Sequence, residues 1–265
     1  MAALVIAVSL GLAIAMAIAW LVQRCTGNAG WVDAVWSFAL GAAGAAYALC
    51  PLRGQMPTAR QWLVAVLVAA WSLRLGLHIA GRTAHGAEDG RYAQFRRDWG
   101  LAFQRRMFWF LQIQAVAAAL LAVSVLLAAR NPRPLSWFDV ITLAVLLIAI
   151  VGEAVADRQL RGFRADPANR GEVCATGLWG WSRHPNYFFE WLGWVAYPLL
   201  AIDPLGGYPC GWLALSAPIF MYWLLVHVSG VPPLEQQMLR SRGQAYRDYQ
   251  ARVSRFIPLP PARSS

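Results

Sequence analysis

The sequence predicts an all-α, polytopic membrane protein with seven transmembrane helices, an N-terminus outside and a C-terminus in the cytoplasm. Of the 265 residues, 58% are hydrophobic and only 14% are charged, whereas a soluble domain carries about 25% charged residues. Seven apolar runs approach the ~20 residues that cross ~30 Å of hydrocarbon. The arginines gather on alternate connecting segments, which indicates a fixed orientation.

The predicted spans follow one another without an internal repeat or low-complexity linker, so we expect a single domain, 1–265. The spans are 3–22, 31–50, 62–80, 107–129, 138–156, 187–202 and 211–228. The first span has no basic residue before it and no convincing small-residue cleavage site. We interpret it as a retained span rather than a signal peptide.

The connecting segments carry unequal charge. If the N-terminus is outside, the inside segments hold 18 Arg and the outside segments hold 4. The inside segments are 23–30, 81–106, 157–186 and 231–265, and the outside segments are 51–61, 130–137 and 203–210. Topology and contact with anionic lipids then explain the net charge of +10, so no nucleic-acid partner is expected.

Several classes of chemistry are excluded by what the chain lacks. All 23 basic residues are Arg, which excludes Schiff-base and P-loop lysine chemistry. The four cysteines lie far apart without a CxxC pair, so neither a metal site nor a disulfide framework is expected. GxGxxG, HExxH, GxSxG and Walker patterns are absent. A nucleotide would have to be held by a helical, Arg-lined vestibule rather than by a glycine loop.

Ionisable residues inside predicted spans are functional candidates because they are costly there. The third span, WSLRLGLHIAGR, carries Arg74, His78 and Arg82 at intervals of four, on one helical stripe. Arg82 can snorkel to the interface, whereas Arg74 lies too deep to do so easily. Asp33 opens the second span. It is a first-turn residue that answers the helix dipole, a partner for Arg74, or a cavity residue.

A second stripe ends the fifth span, in GEAVADRQLRGFR. Glu153, Asp157, Arg161 and Arg164 share one helical face. The plain interpretation is a row of intrahelical ion pairs. The alternative is a ligand site, because carboxylates followed by guanidinia suit a ligand with hydroxyls at one end and phosphates at the other.

The densest polar cluster is the motif WSRHPNYFFEWLGW, with Pro185 at a plausible first helical position. Its polar residues are Arg183, His184, Asn186, Tyr187 and Glu190. Helix N-termini attract anions, and Asn186 and Glu190 share a face. A lone His is more often structural, but five polar groups in eight residues indicate a binding site.

Two cytoplasmic segments complete the set. In HGAEDGRYAQFRRDWG, Glu88 and Asp89 predict an exposed turn, followed by Arg91 and Tyr92. The tail 234–258 predicts a surface helix, with Glu235, Tyr246 and Tyr249, that packs over the inner mouth.

Taken together, these motifs resemble the membrane steroid 5-alpha-reductase superfamily, and within it the uncharacterised bacterial branch. The resemblance covers nearly the whole chain and is most specific in GLWGWSRHPNYFFEWLGW and the preceding ADRQLRGFR. It implies a seven-helix fold that binds NADPH from the cytoplasmic side. It also implies reduction of a carbon–carbon double bond conjugated to a carbonyl, in a steroid, an isoprenoid or another lipid. The expected location is a bacterial inner membrane. The expected partners are the lipophilic substrate and membrane lipids, without an obligatory protein partner.

The resemblance also implies roles for individual residues: hydrogen bonds to nicotinamide and ribose from Asn186, Glu190 and Asp157, and phosphate contacts from Arg74, Arg91 and Arg164. The other candidates come from their places in the same motifs. The expected cofactor-binding residues are Arg74, His78, Arg91, Glu153, Asp157, Arg164, Arg183, His184, Asn186, Tyr187, Glu190 and Tyr246. Where the steroid enzymes hold the substrate ketone with a Gln, a Glu and a Tyr, this chain has Asp33 and Trp71. We therefore expect a protonated Asp33, or Tyr92, to stabilise the developing enolate as catalytic residues.

Two other functions remain open. Isoprenylcysteine carboxyl methyltransferases also carry an RHPxY motif and a tail of Glu, Tyr, Tyr and Pro, and they bind S-adenosylmethionine. Glu190 and the arginine stripe favour the reductase, because a positively charged sulfonium does not need arginines. A transporter or lipid-binding scaffold is the third possibility, but the paired broken helices of many transporters are missing.

Overall fold

The structure, a computed structural model, describes residues 1–51, 56–86 and 88–262. The remaining residues, which include Arg53 and Arg263 of the predicted charge asymmetry, lie outside the described residues. The described part is helical, without a β-strand. Its nine α-helices are α1 Ala2–Thr26, α2 Trp31–Leu49, α3 Ala59–His85, α4 Gly90–Trp99, α5 Phe103–Arg130, α6 Trp137–Ala165, α7 Pro185–Ala201, α8 Ser216–Trp223 and α9 Val231–Arg252.

Six helical stretches among the described residues are long and apolar enough to cross a bilayer, which supports an integral membrane protein. They are Ala2–Thr26, Trp31–Leu49, Ala59–His85, Gly90–Arg130, Trp137–Ala165 and Pro209–Arg252. The predicted span 187–202 falls in α7, which has 17 residues and is about 26 Å long. That length is short of ~30 Å of hydrocarbon, so the count of seven spans stays a prediction.

The chain divides into two compact units, and each is described by itself. The first unit is Met1–Asp139 with Tyr197–Ala217, and the second is Val140–Ala196 with Pro218–Ser265. The prediction of one functional domain remains a prediction.

In the first unit, α2 and α3 pack closely because small residues line their contact. A Cβ atom added to Gly41 of α2 would overlap the side chain of Ser72 on α3, and one added to Gly76 would overlap the ring of Phe38. The Ser72 hydroxyl also donates a 2.9 Å hydrogen bond to the carbonyl oxygen of Ser37. The two helices are thus held by close backbone packing at glycines and by a hydrogen bond between them, as well as by apolar contacts.

A buried ion pair organises the other end of the first unit. Arg60 donates to both carboxylate oxygens of Asp139, at 2.6 and 3.1 Å. Its guanidinium also donates to the carbonyl oxygens of Arg133, Pro134 and Leu200. The sequence predicts that Arg60 lies in an outside connecting segment, 51–61. In the structure it lies in the first turn of α3, because the capping box of Thr58 and Gln61 starts that helix earlier.

In the second unit, α9 is not the single surface helix that the sequence predicts. Gly243 has φ 52° and ψ −120°, which reverses the helix. In a straight helix Glu235 and Gln250 would be about 22 Å apart along the axis, but Gln250 Nε2 donates to Glu235 Oε2 at 3.1 Å. The two arms therefore form a hairpin, and Tyr246 and Tyr249 are buried at its centre rather than on a surface.

The C-terminal segment after α9 is bound to the turn before α7. The amide of Arg183 donates to the carbonyl oxygen of Ser254 at 2.8 Å, and the amide of Leu259 donates to that of Trp181 at 3.0 Å. The Ser182 hydroxyl donates to the carbonyl oxygen of Phe256 at 2.8 Å. These bonds fix the position of the motif that contains most of the candidate residues.

Candidate functional site

Asp33, Arg91 and Tyr92 form a polar cluster in the first unit, which we call the Asp33 cluster. Asp33 lies in the first turn of α2, which agrees with one of its three interpretations. Its Oδ2 atom accepts a 2.7 Å hydrogen bond from Arg91 Nη2, and its Oδ1 atom accepts a 2.6 Å bond from the Tyr92 hydroxyl. Tyr92 is only 2% exposed. An acid, a guanidinium and a phenol thus meet where the apolar helix α2 begins and the polar helix α4 packs against it.

The position of Arg91 in this cluster is determined by Asp89, the N-cap of α4. The carboxylate of Asp89 accepts hydrogen bonds from the amide and the guanidinium of Arg91, at 3.0 and 3.1 Å. Burial raises the pKa of Asp89, but the charge and hydrogen bonds of Arg91 outweigh burial and hold that pKa below its ordinary value. Asp89 therefore carries the negative charge that orients Arg91.

The segment that precedes α4 is more than the exposed turn that the sequence predicts. Glu88 Oε1 accepts a 3.1 Å hydrogen bond from the amide of Ala29, just before α2, and a 2.9 Å bond from Arg96 Nη2. Asp89 and Glu88 are both half-buried. They were missed as site residues because a Glu-Asp-Gly run does not reveal its tertiary contacts.

The predicted stripe on α3 contacts this region at its C-terminal end, through Arg82. Arg74 and His78 are half-buried on α3. Arg82 is 51% exposed and lies 3.5 Å from Asp89, which is consistent with snorkelling to an interface.

An apolar cleft of about 270 Å³ lies between α1 and α2. It is lined by Val8, Gly11, Leu12, Ala15, Ala39, Ala42, Ala43 and Ala46. Ala42 follows Asp33 by nine residues, which places it about 180° around the helix. The cleft is therefore on a different face of α2 from the Asp33 cluster.

In the second unit, Glu235 is the acceptor for four side chains, a group that we call the Glu235 hub. Its Oε1 atom accepts from Arg183 Nε at 2.7 Å, lies 3.2 Å from His184 Nε2 and accepts from the Tyr246 hydroxyl at 3.4 Å. Its Oε2 atom accepts from Gln250. The hub joins the motif before α7 to both arms of the α9 hairpin.

The environment of His184 favours the neutral imidazole. Burial lowers the pKa of His184, and the hydrogen bond and charge of Glu235 only partly oppose this. The ring also stacks on Tyr187, with the ring centroids 5.8 Å apart. In this setting His184 is suited to donate a hydrogen bond to Glu235 rather than to carry a charge.

Buried carboxylates form a separate group on α6 and α7, which we call the Asn186 cluster. Glu153 and Asp157 on α6, and Glu190 on α7, are each 5–8% exposed. Asn186 Nδ2 donates to Asp157 Oδ1 at 3.4 Å, and Trp194 Nε1 donates to Glu190 Oε1 at 2.9 Å. As predicted, α7 begins at Pro185, which places Asn186 and Glu190 one turn apart.

The arginines of the predicted α6 stripe lie beyond the buried carboxylates. The helix continues to Ala165, nine residues past the predicted end of its span at residue 156. Arg158, Arg161 and Arg164 are exposed on these last turns, whereas Asp157 is buried. The order of carboxylates and guanidinia along the helix is therefore the one that the sequence predicts.

Comparison with known protein families identifies the family of this chain. The family described as "Protein of unknown function (DUF1295)" matches residues 19–253. The chain belongs to the DUF1295 family. This family is related to the steroid 5-alpha-reductase-like proteins, and the matched region contains every candidate residue named above.

A similar protein of fission yeast has no assigned activity. The chain is 28% identical over 269 residues to an uncharacterised protein of the fission yeast Schizosaccharomyces pombe. The match covers 90% of this chain and 75% of the yeast protein. The relative supports a shared architecture along nearly the whole chain, and its name assigns no activity.

Three groupings of the predicted residues follow from the structure of this DUF1295 protein. Asp33, Arg91 and Tyr92 meet in the first unit. Arg183, His184 and Tyr246 meet at Glu235 in the second unit, and Arg183 also donates to the carbonyl oxygens of Gln250 and Val253. The third grouping is Asp157 with Asn186. Each grouping contains residues expected to bind the cofactor: Arg91 in the first, all three residues in the second, and both residues in the third.

The hub residue Glu235 was missed as an organising residue. The sequence places it in a polar helix, 51 residues from His184. Only the reversal at Gly243 brings Tyr246 and Gln250 to it. A glycine between two helical stretches is the one signal of that reversal, and it is a weak signal.

Proposed function

We propose that this DUF1295 protein is a membrane-embedded oxidoreductase that transfers a hydride from NADPH to a conjugated carbon–carbon double bond of a lipophilic substrate. The relationship of its family to steroid 5-alpha-reductase-like proteins supports the reaction class. The observation that carries the proposal is the Asn186 cluster, where buried carboxylates and a half-buried amide lie on facing turns of two apolar helices. Buried acids are costly in a bilayer unless they serve a site.

The chemistry of these residues fits a dinucleotide. Asp157 and Glu190 can accept hydrogen bonds from hydroxyl or carboxamide groups, and Asn186 can both donate and accept. Arg164 lies seven residues after Asp157, about 10 Å along α6, and its exposed guanidinium suits a phosphate. NADPH, when bound, supplies the hydride. We assign its reactive end to Asp157, Asn186 and Glu190. We assign its phosphates to Arg161 and Arg164 of the predicted stripe.

From their chemistry, we propose Tyr92 and Asp33 as the residues that stabilise the carbonyl oxygen of the substrate. As the hydride adds to the distal carbon of the double bond, electrons move to the carbonyl oxygen and an enolate forms. The Tyr92 hydroxyl, now bonded to Asp33, turns to donate to that oxygen. Asp33 is ion-paired with Arg91, so we prefer Tyr92 to a protonated Asp33 as the donor. The carbon next to the carbonyl then takes a proton from water, which completes the reduction.

The membrane arrangement is part of the same proposal. We propose seven spans, an outside N-terminus and a cytoplasmic C-terminus in a bacterial inner membrane, with the cofactor bound on the cytoplasmic side. The support is the distribution of Arg, 18 against 4, between alternate segments. The remaining proposed partners are membrane lipids.

A methyltransferase that uses S-adenosylmethionine is the alternative. The Glu235 hub favours it, because the hub joins the Arg-His-Pro motif to the Glu and Tyr residues of the tail. These are the residues that the chain shares with isoprenylcysteine carboxyl methyltransferases. The exposed arginines of α6 favour the reductase.

Ligand binding to the purified full chain distinguishes these functions. We expect NADPH to raise the thermal unfolding midpoint, and S-adenosylmethionine to leave it unchanged. Arg164→Gln should weaken NADPH binding about tenfold, since it removes one phosphate contact. Arg158→Gln, an exposed arginine of the same helix, is the matched control and should leave binding unchanged.

The opposite results are equally informative. Stabilisation by S-adenosylmethionine alone would establish the alternative cofactor. If no NADPH binding is detected by calorimetry, the reductase proposal is wrong. Where NADPH binds, its oxidation in the presence of membrane lipid extract, followed by absorbance under anaerobic conditions, identifies extracts that contain a substrate.

A further inference from the structure

The junction between α4 and α5 exposes apolar side chains that the first unit does not cover. Gly100–Ala102 forms a single 3-10 turn between the two helices. Leu101 in this turn is fully exposed, at 109% of its reference area, and Trp109 on the next helix is 63% exposed. A leucine that projects completely from a turn has no role in the packing of its own unit.

Uncompensated positive charge surrounds this turn. Arg97, Arg105 and Arg106 are exposed, and within the described residues none of them forms an ion pair. Arg97 instead donates to Gln94 at 2.7 Å. The neighbouring acid Asp98 accepts from the same Gln94 side chain. Residues 97–106 thus carry three arginines and one acid.

The turn is continuous with a helix that is apolar enough to cross a bilayer. The 28 residues of α5 extend about 42 Å, which exceeds ~30 Å of hydrocarbon. Its first turn, with Arg105 and Arg106, is the polar end and belongs in the headgroup region. Arginine together with tryptophan and leucine is the composition of segments that lie at a membrane surface.

We propose that the segment Gly90–Arg106 is a membrane-surface anchor: its arginines bind anionic lipid headgroups, and Leu101 inserts into the acyl region. Charge complementarity and continuity with α5 select the bilayer as the partner. The anchor accounts for both the exposed leucine and the unpaired arginines. A soluble acidic partner would account for the arginines but not for the leucine.

Anchoring bears on the Asp33 cluster because α4 buries little of its surface. Tyr92 is the one buried residue within α4. The helix is otherwise held by ion pairs with Asp33, Glu88 and Asp89 and by partly exposed aromatic contacts of Phe95 and Trp99 with Phe110 of α5. A helix with few buried contacts opens easily. The lipid surface then stabilises the helix that presents Tyr92, whatever reaction the protein performs.

Hydrogen–deuterium exchange of the full chain tests the anchor. The protein is placed in nanodiscs of phosphatidylcholine alone, or of phosphatidylcholine mixed with phosphatidylglycerol. We expect the amides of residues 90–102 to exchange at least about threefold more slowly with the anionic lipid. The triple variant Arg97→Gln, Arg105→Gln, Arg106→Gln should abolish that difference, and Leu101→Asp should accelerate exchange in both lipids.

Leu205→Asp is the matched control. Leu205 is 93% exposed in another loop of the same unit, and its replacement should leave residues 90–102 unchanged. Equal exchange in the two lipids overturns the proposal, as does a Leu101→Asp variant that behaves like Leu205→Asp. Faster exchange across α2 and α5 in Leu101→Asp also overturns it, because Leu101 would then be a folding residue.

Discussion

The Tyr92 hydroxyl donates a 2.6 Å hydrogen bond to the carboxylate of Asp33, across 59 residues of sequence. Arg91 binds the other oxygen of the same carboxylate. The pair joins the first turn of α2 to α4, and it places a buried phenol beside the end of an apolar helix. In the proposed reaction this phenol stabilises the enolate.

Tyr92→Phe tests that role. The variant removes the donor but keeps the ring, so we expect turnover to fall about 100-fold while NADPH affinity stays unchanged. Turnover and cofactor affinity are measured on the purified chain once a substrate is found. Tyr222→Phe, at a partly exposed tyrosine of the second unit, should keep full turnover. Normal turnover of Tyr92→Phe would remove Tyr92 from the mechanism.

The buried pair of Arg60 and Asp139 should dominate the stability of the first unit. Arg60→Ala leaves the Asp139 carboxylate, 5% exposed, without its main partner. We expect a loss of about 3–5 kcal/mol in the free energy of unfolding, measured by denaturant titration in micelles. Arg82→Ala breaks a pair whose arginine is 51% exposed and should cost less than about 1 kcal/mol. Similar losses in the two variants would show that burial does not decide the effect.

Gly41→Ala tests the close approach of α2 and α3. The added methyl overlaps the side chain of Ser72, so we expect a loss of about 1–3 kcal/mol from overpacking. Gly11→Ala is the control, because its added methyl meets no atom within 4 Å. That variant should be neutral or slightly stabilising, since alanine favours helix by about 1 kcal/mol. The comparison fails if both variants shift the unfolding midpoint equally.

Gly243→Ala tests the reversal of α9. The backbone there has φ 52°, and the added methyl has open space, so the penalty is conformational. We expect a loss of about 1–3 kcal/mol, together with weaker protection of the Glu235 hub in hydrogen exchange. Gly162→Ala, on the solvent side of α6 with equal space, should be neutral or stabilising. An unchanged hub in Gly243→Ala would mean that the hairpin does not depend on this glycine.

The pH dependence of stability should reveal His184. Burial lowers its pKa below the ordinary value of 6.5, so the unfolded chain binds a proton before the folded protein does. The contribution of His184 is complete above pH 6.5 and is lost as pH falls from there through the folded-state pKa. The thermal midpoint should therefore decrease on acidification, and His184→Gln should reduce that decrease. His85→Gln, at an exposed histidine, should keep the wild-type slope. An equal slope in His184→Gln would contradict the assignment.

Helix positions followed from local sequence where local chemistry decides them. Pro185 starts α7 because its ring fixes φ and its missing N–H is not needed there. Asp33 lies in a first turn because its charge answers the helix dipole. The ends were less accurate: α6 continues to Ala165, since residues beyond the hydrocarbon remain good helix formers even though they are no longer apolar.

The amino-acid sequence by itself determined the class of this protein: apolar runs of membrane length, an uneven distribution of Arg, and the candidate residues on each helix. Only the tertiary structure decided which of them meet. Tyr246 and Gln250 reach Glu235 because the chain reverses at Gly243. Tyr92 reaches Asp33 because Asp89 and Glu88 hold α4 against the start of α2. The physical reason is range: hydrophobicity and helix propensity act within one or two turns, whereas an ion pair or a hydrogen bond depends on where distant segments are brought by packing.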